Sequence, residues 1–289
     1  MTRTRILYDF VMKLWPLSKL VFWLGKQPVT GAILHPLFSK RLNQVVILPV
    51  NEEINRSQSA VVPYQLLESL VQESSARFIL NTCQCRDNDD CQVYPHTIGC
   101  LYLGEGAALI NPGLGRQASV EEALLHIQKG LEHNLTPLVA HTIFDAAMLN
   151  IPYRRMLTIC FCCDCCCVVR HGLRMGPPAF WEVVRRLPGL SVEVGDECIA
   201  CQECFDSCPT EAISMDTTKA VIGANCKGCG RCVETCPVNA IHMRLEGYQM
   251  LPETLKDLIR REWGTKVKPE DGENRPLTDR AGEGKEDLS

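Results

Sequence analysis

Two runs of cysteines in the C-terminal third of the chain have the spacing of metal ligands. They are Cys198, Cys201, Cys204 and Cys208, followed by Pro209, and Cys226, Cys229, Cys232 and Cys236, followed by Pro237. Each run reads C-x2-C-x2-C-x3-C-P, the spacing of the ligands of 4Fe–4S clusters in bacterial-type proteins. Three thiolates on one tight loop reach three corners of a cubane, so the fourth ligand has to come from elsewhere. The chemistry of such a site is the transfer of single electrons.

The two runs are copies of an internal repeat. Cys198 corresponds to Cys226 and Pro209 to Pro237, each pair 28 residues apart. On these residues, the segment at 191–247 resembles a bacterial two-cluster ferredoxin domain, which implies a pseudo-two-fold, ferredoxin-like fold. The resemblance also implies that the last cysteine of each run ligates the cluster of the other run. One cluster would be held by Cys198, Cys201, Cys204 and Cys236, and the second by Cys226, Cys229, Cys232 and Cys208.

Zinc is the alternative metal for closely spaced cysteines. Zinc ribbons use two C-x2-C pairs, whereas both runs here are triplets that close with a Cys-Pro pair. The spacing therefore favours iron–sulfur clusters over zinc.

The other ten of the 18 cysteines lie upstream in two groups. The first group contains Cys83, Cys85, Cys91 and Cys100. The second group has six cysteines within eight residues, namely Cys160, Cys162, Cys163, Cys165, Cys166 and Cys167. So many neighbouring thiols would be prone to oxidation without a metal. We therefore predict one or two additional iron–sulfur clusters upstream of the ferredoxin-like segment.

The upstream cysteines can be divided between sites in two ways. In the simpler arrangement the first group forms one site and the six-cysteine run supplies another. In the mixed arrangement both groups contribute ligands to the same site. Adjacent residues of an extended chain point to opposite faces, so Cys162 and Cys163 are not expected to bind one iron centre together. That favours two sites, or one large cluster with spare thiols beside it.

The chain as a whole resembles ferredoxin-type iron–sulfur proteins of anaerobic metabolism. The resemblance is carried by the C-x-C-R segment that starts at Cys83 and by the Cys-Cys-x-Cys-Cys-Cys segment that starts at Cys162. It implies a class of protein and no substrate. The Cys162–Cys163 pair is also similar to the paired cysteines of heterodisulfide-reductase catalytic subunits. Those subunits need a further C-x2-C downstream, and here the only candidates belong to the ferredoxin-like runs.

The upstream cysteines have to be positioned by the elements of residues 45–190. Apolar runs predict strands at 45–50, 77–80, 138–143 and 156–161, and helical periodicity predicts a helix at 64–71. Ser119 and Glu122 form a capping box, which predicts the start of another helix. The alternation predicts an α/β arrangement for this domain, within an α+β chain, with the metal sites on loops at strand ends. The polar residues between Cys85 and Cys91 predict a turn.

The segment at 1–44 is predicted to be a basic, amphipathic helical arm. It contains seven basic residues and one acidic residue, and Pro16 is expected to end its first helix. One interpretation is an arm packed on the rest of the protein or on a partner subunit. The other is contact with a membrane surface, without crossing it, because the apolar runs are short and contain Pro28 and Pro36.

Composition and charge limit the partners and the compartment that are expected for this protein. The chain has 289 residues and a formal net charge of −4, which gives no electrostatic case for a nucleic-acid partner. Reduced thiolates and the lack of a cleavable leader predict the cytoplasm, with the inner face of the membrane as an alternative through residues 1–44. Residues 248–289 are predicted to form a helix and a disordered tail.

These observations predict an iron–sulfur protein that relays single electrons to a redox partner protein or to an oxidoreductase subunit. One alternative is a reductase with substrate chemistry at an unusual upstream cluster that the ferredoxin-like domain supplies with electrons. A second alternative is an electron-transfer subunit bound to a membrane surface. The sequence predicts no oligomeric state, and no residue is assigned a catalytic role.

Overall fold

The computed structural model describes residues 3–49 and 62–245 of the chain. The α-helices are α1 (Arg3–Lys13), α2 (Leu17–Lys26), α3 (Pro28–Leu34), α4 (Val62–Glu73), α5 (Gln84–Asn88), α6 (Val120–Glu132), α7 (Ile143–Leu149), α8 (Val168–Met175), α9 (Pro178–Val183), α10 (Cys204–Ser207) and α11 (Arg231–Glu234). The strands are β1 (Asn43–Ile47), β2 (Arg77–Leu80), β3 (Leu101–Leu103), β4 (Gly115–Gln117), β5 (Thr136–Thr142), β6 (Leu157–Cys162), β7 (Val184–Arg186), β8 (Leu190–Val194), β9 (Ile213–Met215), β10 (Ala220–Ile222) and β11 (Ile241–Leu245). The mixture of helices and sheets confirms the α+β class. The helix and tail predicted at 248–289 lie outside the described residues.

A seven-stranded sheet in the order β4-β2-β3-β6-β5-β1-β7 forms the centre of the upstream part. Neighbouring strands are antiparallel except for the β1–β7 pair. The predicted α/β arrangement is therefore wrong for this sheet, because that arrangement requires mainly parallel strands. The alternation along the sequence identified helices and strands correctly, but it does not determine whether neighbouring strands are parallel or antiparallel.

The helices of the upstream part cover the sheet as their apolar faces predict. The capping box at the start of α6 is present: the Ser119 Oγ accepts from the Glu122 N–H at 3.2 Å, and the Glu122 carboxylate accepts from the Ser119 N–H at 2.9 Å. Ala123 and Ile127 of α6 are fully buried in the same core cluster as Leu66 of α4. The strand predicted at 77–80 is confirmed as β2.

The N-terminal helices pack on the upstream part through a few aromatic side chains. The first helix ends before Pro16, as predicted, and Trp15 is buried there against Phe144 with ring centroids 5.9 Å apart. Phe22 of α2 meets Phe180 of α9 edge-on at 5.4 Å. Among the described residues, no helix is both long enough and apolar enough to cross a membrane.

The C-terminal part repeats one strand–loop–helix–strand unit twice. Strand β8 pairs antiparallel with β11, and β9 pairs antiparallel with β10. Residues 213–215 of β9 correspond to residues 241–243 of β11 at the 28-residue offset of the cysteine runs. The apolar residues of this part are continuous with the core of the upstream part, since Ile213 and Ile241 belong to the same buried cluster as Ile127.

Candidate metal centres

The internal repeat of the C-terminal part extends to the backbone conformation of the ligand loops. Positive φ angles recur at an offset of 28 residues, at Ala200 (57°) and Gly228 (66°), at Gln202 (66°) and Gly230 (83°), and at Glu211 (50°) and Asn239 (51°). Glycine adopts this left-handed conformation at little cost, whereas alanine and glutamine are strained in it. The first loop therefore adopts the same backbone conformation as the second, although it has alanine and glutamine where the second has glycine. This indicates that the conformation itself is required.

The last cysteine of each run receives an equivalent hydrogen bond. The Ala212 N–H donates to the Cys208 Sγ at 3.2 Å, and the Ala240 N–H donates to the Cys236 Sγ at 3.2 Å. Peptide N–H groups directed at sulfur stabilise the negative charge of a thiolate and raise the potential of any cluster that it holds. The Sγ atoms of Cys208 and Cys236 therefore have equivalent hydrogen-bonding environments, as two ligands at equivalent positions of a repeat would.

A first cavity lies among the cysteines of the first run. Four of its lining residues are Cys198, Cys201, Cys204 and Cys236, so three cysteines come from the first run and one from the second. The remaining wall is largely apolar and includes Met215 and Ile241. Apolar residues around four thiols suit a cluster, because they limit the access of water to the metal, although Cys201 and Ile199 are exposed here.

A second cavity, partly open to solvent, repeats this arrangement. It is lined by Cys226, Cys229, Cys232 and Cys208, together with apolar residues such as Val192 and Ile213. The two cavities therefore contain the two sets of four cysteines that the ferredoxin resemblance implies, each with one cysteine from the other run.

The chemistry of these thiols suits a cation. Burial raises the pKa of the Cys232 thiol far above its ordinary value, and the neighbouring Cys229 and Cys226 thiolates raise it further. The pKa of Cys229 is raised by burial too. Closely packed thiols in one cavity do not all ionise together unless a positive charge compensates them, since each thiolate repels the next. A metal supplies that charge, and its binding releases the protons.

A third set of thiols lies in the upstream part, where the two sequence groups meet. The ligand atoms of Cys91, Cys163, Cys165 and Cys166 all lie within 4.8 Å of one another. The Sγ atoms of Cys91 and Cys165 are 3.5 Å apart. The Cys166 N–H donates to the Cys163 Sγ at 3.3 Å, in the same manner as in the C-terminal loops. We call this set the outer upstream group, because the Cys165 side chain is exposed.

Four further thiols, which we call the inner upstream group, form two contacting pairs, Cys83 with Cys85 and Cys100 with Cys160. The Sγ atoms of Cys100 and Cys160 are 3.2 Å apart. A hydrogen bond from the Cys85 thiol, followed by the nearby Arg86 guanidinium, lowers the pKa of Cys83 to about 6, against the opposing effect of burial. The same contact and burial raise the pKa of Cys85. One thiolate is therefore favoured in this group, and further thiolates require a cation.

The structure thus brings cysteines of the two sequence groups together, as the mixed arrangement would require. Cys91, from the first sequence group, lies beside three cysteines of the six-cysteine run. Cys160, from that run, lies beside Cys100 of the first group. Cys160 and Cys162 pack against one core cluster, and Cys163 belongs to another.

Cys162 and Cys167, the other two predicted ligands, are joined in a disulfide, with Cα atoms 5.3 Å apart. While they are joined, neither sulfur is available to a metal. The disulfide closes the six-cysteine run between the end of β6 and the start of α8.

Arg86 fixes the loop of the inner upstream group, a role that the sequence did not reveal. The segment between Cys85 and Cys91 was predicted to be a turn, but its first residues belong to α5. The Arg86 side chain is completely buried, and its guanidinium donates to the carbonyl oxygens of Pro95 at 2.9 Å, Phe161 at 2.7 Å and Ile98. One side chain therefore links this loop to β6. Its position directly after the C-x-C pair was the only available signal.

Arg231 has a similar role between the two parts of the chain. It lies inside the second C-terminal run, and its side chain is 6% exposed. It pairs with Asp164 of the six-cysteine run at 2.7 Å and donates to the Asn134 carbonyl at 3.0 Å. The second ferredoxin-like loop is thereby held against the upstream cysteines.

The histidines near the cysteine run are not placed as ligands. His141 is fully buried on β5, where its Nδ1 lies 2.9 Å from the Met156 carbonyl and its ring stacks on Tyr153. The Nε2 of His171 lies 3.7 Å from the carboxylate of Asp89.

Comparison with protein families identifies the C-terminal part. Residues 193–243 match the family model of the 4Fe-4S dicluster domain. The match agrees with the segment at 191–247 that resembled a two-cluster ferredoxin, and it indicates iron–sulfur electron transfer for this part of the chain. The comparisons with curated proteins and with solved structures find no match.

Proposed function

We propose that the protein relays single electrons between a redox partner protein and sites in its upstream part, through two 4Fe–4S clusters in residues 193–243. Cys198, Cys201, Cys204 and Cys236 would hold the first cluster, and Cys226, Cys229, Cys232 and Cys208 the second. When bound, the clusters supply one-electron redox chemistry. The protein's own residues exclude water, direct N–H groups at the sulfurs and fix the loops.

The observation that carries this proposal is the position of Cys229. It lines the second cavity and also a third cavity, whose other wall includes Cys162, Cys163 and Cys167 of the six-cysteine run. Pro209 lines both cavities as well. One ligand of the second site is therefore separated from the upstream cysteines only by this small cavity. The arrangement supports a route for electrons from the dicluster domain into the upstream part.

The upstream groups extend this relay. The outer upstream group contains four thiols within 4.8 Å of one another, enough to ligate a cluster fully without an open iron. Full ligation favours a relay over the alternative of a reductase that binds substrate at an upstream iron. The partner enzyme would then carry out the substrate chemistry.

Anaerobic purification with quantitation of iron and sulfide tests this proposal. Two clusters in the dicluster domain give about eight irons per chain, and two further cubanes give about sixteen. Electron paramagnetic resonance during stepwise reduction then shows how many one-electron centres are present. A colourless protein that contains zinc and no sulfide would refute the proposal.

Contact with a membrane surface is a second candidate property, favoured by the surface of the N-terminal helices. Several large apolar side chains are solvent-exposed there, including Phe10 (58%), Trp23 (55%), Val29 (72%) and Ile33 (73%). The basic residues contribute less than their number suggests, because Lys19 pairs with Asp89 and Lys40 with Glu182. The contact would therefore be mainly hydrophobic.

Co-sedimentation of the full chain with phosphatidylcholine vesicles tests this second candidate. Binding should occur without anionic lipid, and it should fall about tenfold or more when Trp23 and Ile33 are both changed to Gln. Val93, 73% exposed outside the N-terminal helices, provides the control, since Val93→Gln should bind as the wild type does. A wild-type protein that stays in the supernatant would contradict membrane contact.

A further inference from the structure

The disulfide between Cys162 and Cys167 joins two residues whose backbone is already fixed. Cys162 is the last residue of β6, and Cys167 immediately precedes α8. The ring that the disulfide closes spans only five positions along the chain. A short ring restricts the unfolded chain less than a long one does, so the disulfide has a modest structural value. This prompts the question of what else the pair does.

Both cysteines of the disulfide line the third cavity, which is partly open to solvent. Cys229 and Pro209 of the dicluster domain line the same cavity. Cys167 is buried, at 3% exposure, whereas Cys162 is half-buried. The disulfide thus shares one cavity with a ligand of the second cluster site.

Arg170 adds a positive charge to this cavity. Its Nη2 donates to the Ser207 carbonyl at 2.9 Å. Its Nε is buried and has no hydrogen-bond partner among the described residues. A buried guanidinium nitrogen without a partner favours an anion beside it. Asp164 and Cys229 line the same cavity and can supply such a charge, and the sulfurs of a reduced pair are further candidates, because Cys162 and Cys167 line it too.

We propose that Cys162 and Cys167 form a redox-active pair that accepts two electrons from the second cluster site through the third cavity. The inference rests on the proposed function, since the dicluster domain supplies the electrons. The sulfur–sulfur bond breaks, two electrons arrive one at a time, and one proton enters from solvent through the open side of the cavity to give one thiol and one thiolate, the anion that the Arg170 guanidinium favours. The pair is oxidised as the electrons are withdrawn. It therefore links a one-electron supply to two-electron chemistry.

The test counts free thiols by intact-mass spectrometry after denaturation and alkylation under anaerobic conditions. The oxidised holoprotein should gain 16 alkyl groups, corresponding to its 16 free cysteines. After reduction by a photoreduced deazaflavin, a one-electron donor, it should gain 18, the full number of cysteines. The Cys162→Ser/Cys167→Ser variant should give the same number before and after reduction.

A second variant examines the route. Cys226→Ser/Cys232→Ser removes two ligands of the second site, neither of which lines the third cavity. In this variant the thiol count should not rise after reduction. Arg170→Met should slow the rise several-fold without changing the iron content, because the charge that favours the reduced pair is lost.

Two results would overturn the inference. A wild-type count of 18 in the oxidised protein would show that both cysteines are thiols or metal ligands. A count that stays at 16 after reduction, in a protein with its full iron and a reduced-cluster signal, would show that the disulfide is only structural. A protein without iron and sulfide would instead refute the proposed function, so the two failures are distinguishable.

Discussion

Arg231 and Asp164 form an ion pair, with 2.7 Å between Nη2 and Oδ1, that joins the second ferredoxin-like loop to the six-cysteine run. Each residue lies between two cysteines of its own segment, Arg231 between Cys229 and Cys232 and Asp164 between Cys163 and Cys165. The pair therefore fixes the position of one candidate centre relative to another. Electron transfer between centres depends on such a fixed separation, which makes this contact a natural target for mutation.

Replacing Arg231 with Met should destabilise the protein by about 3 kcal/mol, because a buried cation and its hydrogen bonds are lost and its partners are left unsatisfied. Asp164→Asn should cost less, about 1 kcal/mol, since the Asp164 side chain is 41% exposed. Anaerobic denaturant unfolding measures both changes. Equal effects of the two substitutions would contradict the assigned role of Arg231 as the buried member of the pair.

Arg86 provides a sharper test of the upstream part. Arg86→Lys keeps the charge but cannot reach three carbonyl groups in different directions, so we expect it to be nearly as damaging as Arg86→Met. Both variants should lose about 3 kcal/mol of stability and the iron of the inner upstream group. The matched control is Arg116→Lys, at an exposed arginine that pairs with Glu122 on the surface. A fully loaded, stable Arg86→Lys variant would contradict this role.

The repeated backbone conformation of the two ligand loops predicts that substitutions at equivalent positions change the stability of the protein in opposite directions. Ala200→Gly and Gln202→Gly should each stabilise the protein by about 0.5–1 kcal/mol, because they relieve a left-handed conformation at no steric cost. Gly228→Ala should destabilise it by roughly 1–3 kcal/mol, through the strain of φ +66° and a new Cβ only 2.5 Å from the Leu190 side chain. Thermal unfolding under anaerobic conditions measures all three. A destabilising Ala200→Gly would show that the strain interpretation is wrong.

His141 predicts a pH dependence of stability. Burial lowers its pKa from 6.5 to about 4, partly offset by the hydrogen bond to Met156. Between these values the unfolded chain binds the proton more readily, so this histidine's contribution to stability is lost as the pH falls from 6.5 towards 4. Denaturant midpoints at pH 7 and pH 5 measure the change. His141→Asn should show a smaller decrease than the wild type, and an equal decrease would exclude His141 as its source.

The sequence predicted the parts of the molecule that local patterns determine. Strand β2, the capping box of α6 and the break before Pro16 follow from residue spacing alone. The cysteine runs of the dicluster domain were equally clear, because ligand spacing on a single loop is a local property.

Other features depend on long-range contacts and were not predictable from patterns. The antiparallel sheet and the burial of Arg86 depend on how distant segments return to each other. Cys91 and Cys163 are 72 positions apart, and their association depends on the order of strands in the sheet. The pairing of Cys162 with Cys167 also required the positions of β6 and α8, since spacing alone offered six neighbouring cysteines.

The exchange of the fourth ligand between the two runs is the part of the proposal on which the two cluster sites depend. Cys204→Ser/Cys236→Ser removes two thiols from the first cavity only, whereas Cys204→Ser/Cys208→Ser removes one thiol from each cavity. Iron quantitation with electron paramagnetic resonance of the two variants measures the difference. The first variant should lose about four irons and keep an intact second-cluster signal, and the second variant should perturb both signals. If instead Cys204→Ser/Cys208→Ser leaves one cluster intact and Cys204→Ser/Cys236→Ser damages both, each run holds its own cluster and the exchanged arrangement is wrong.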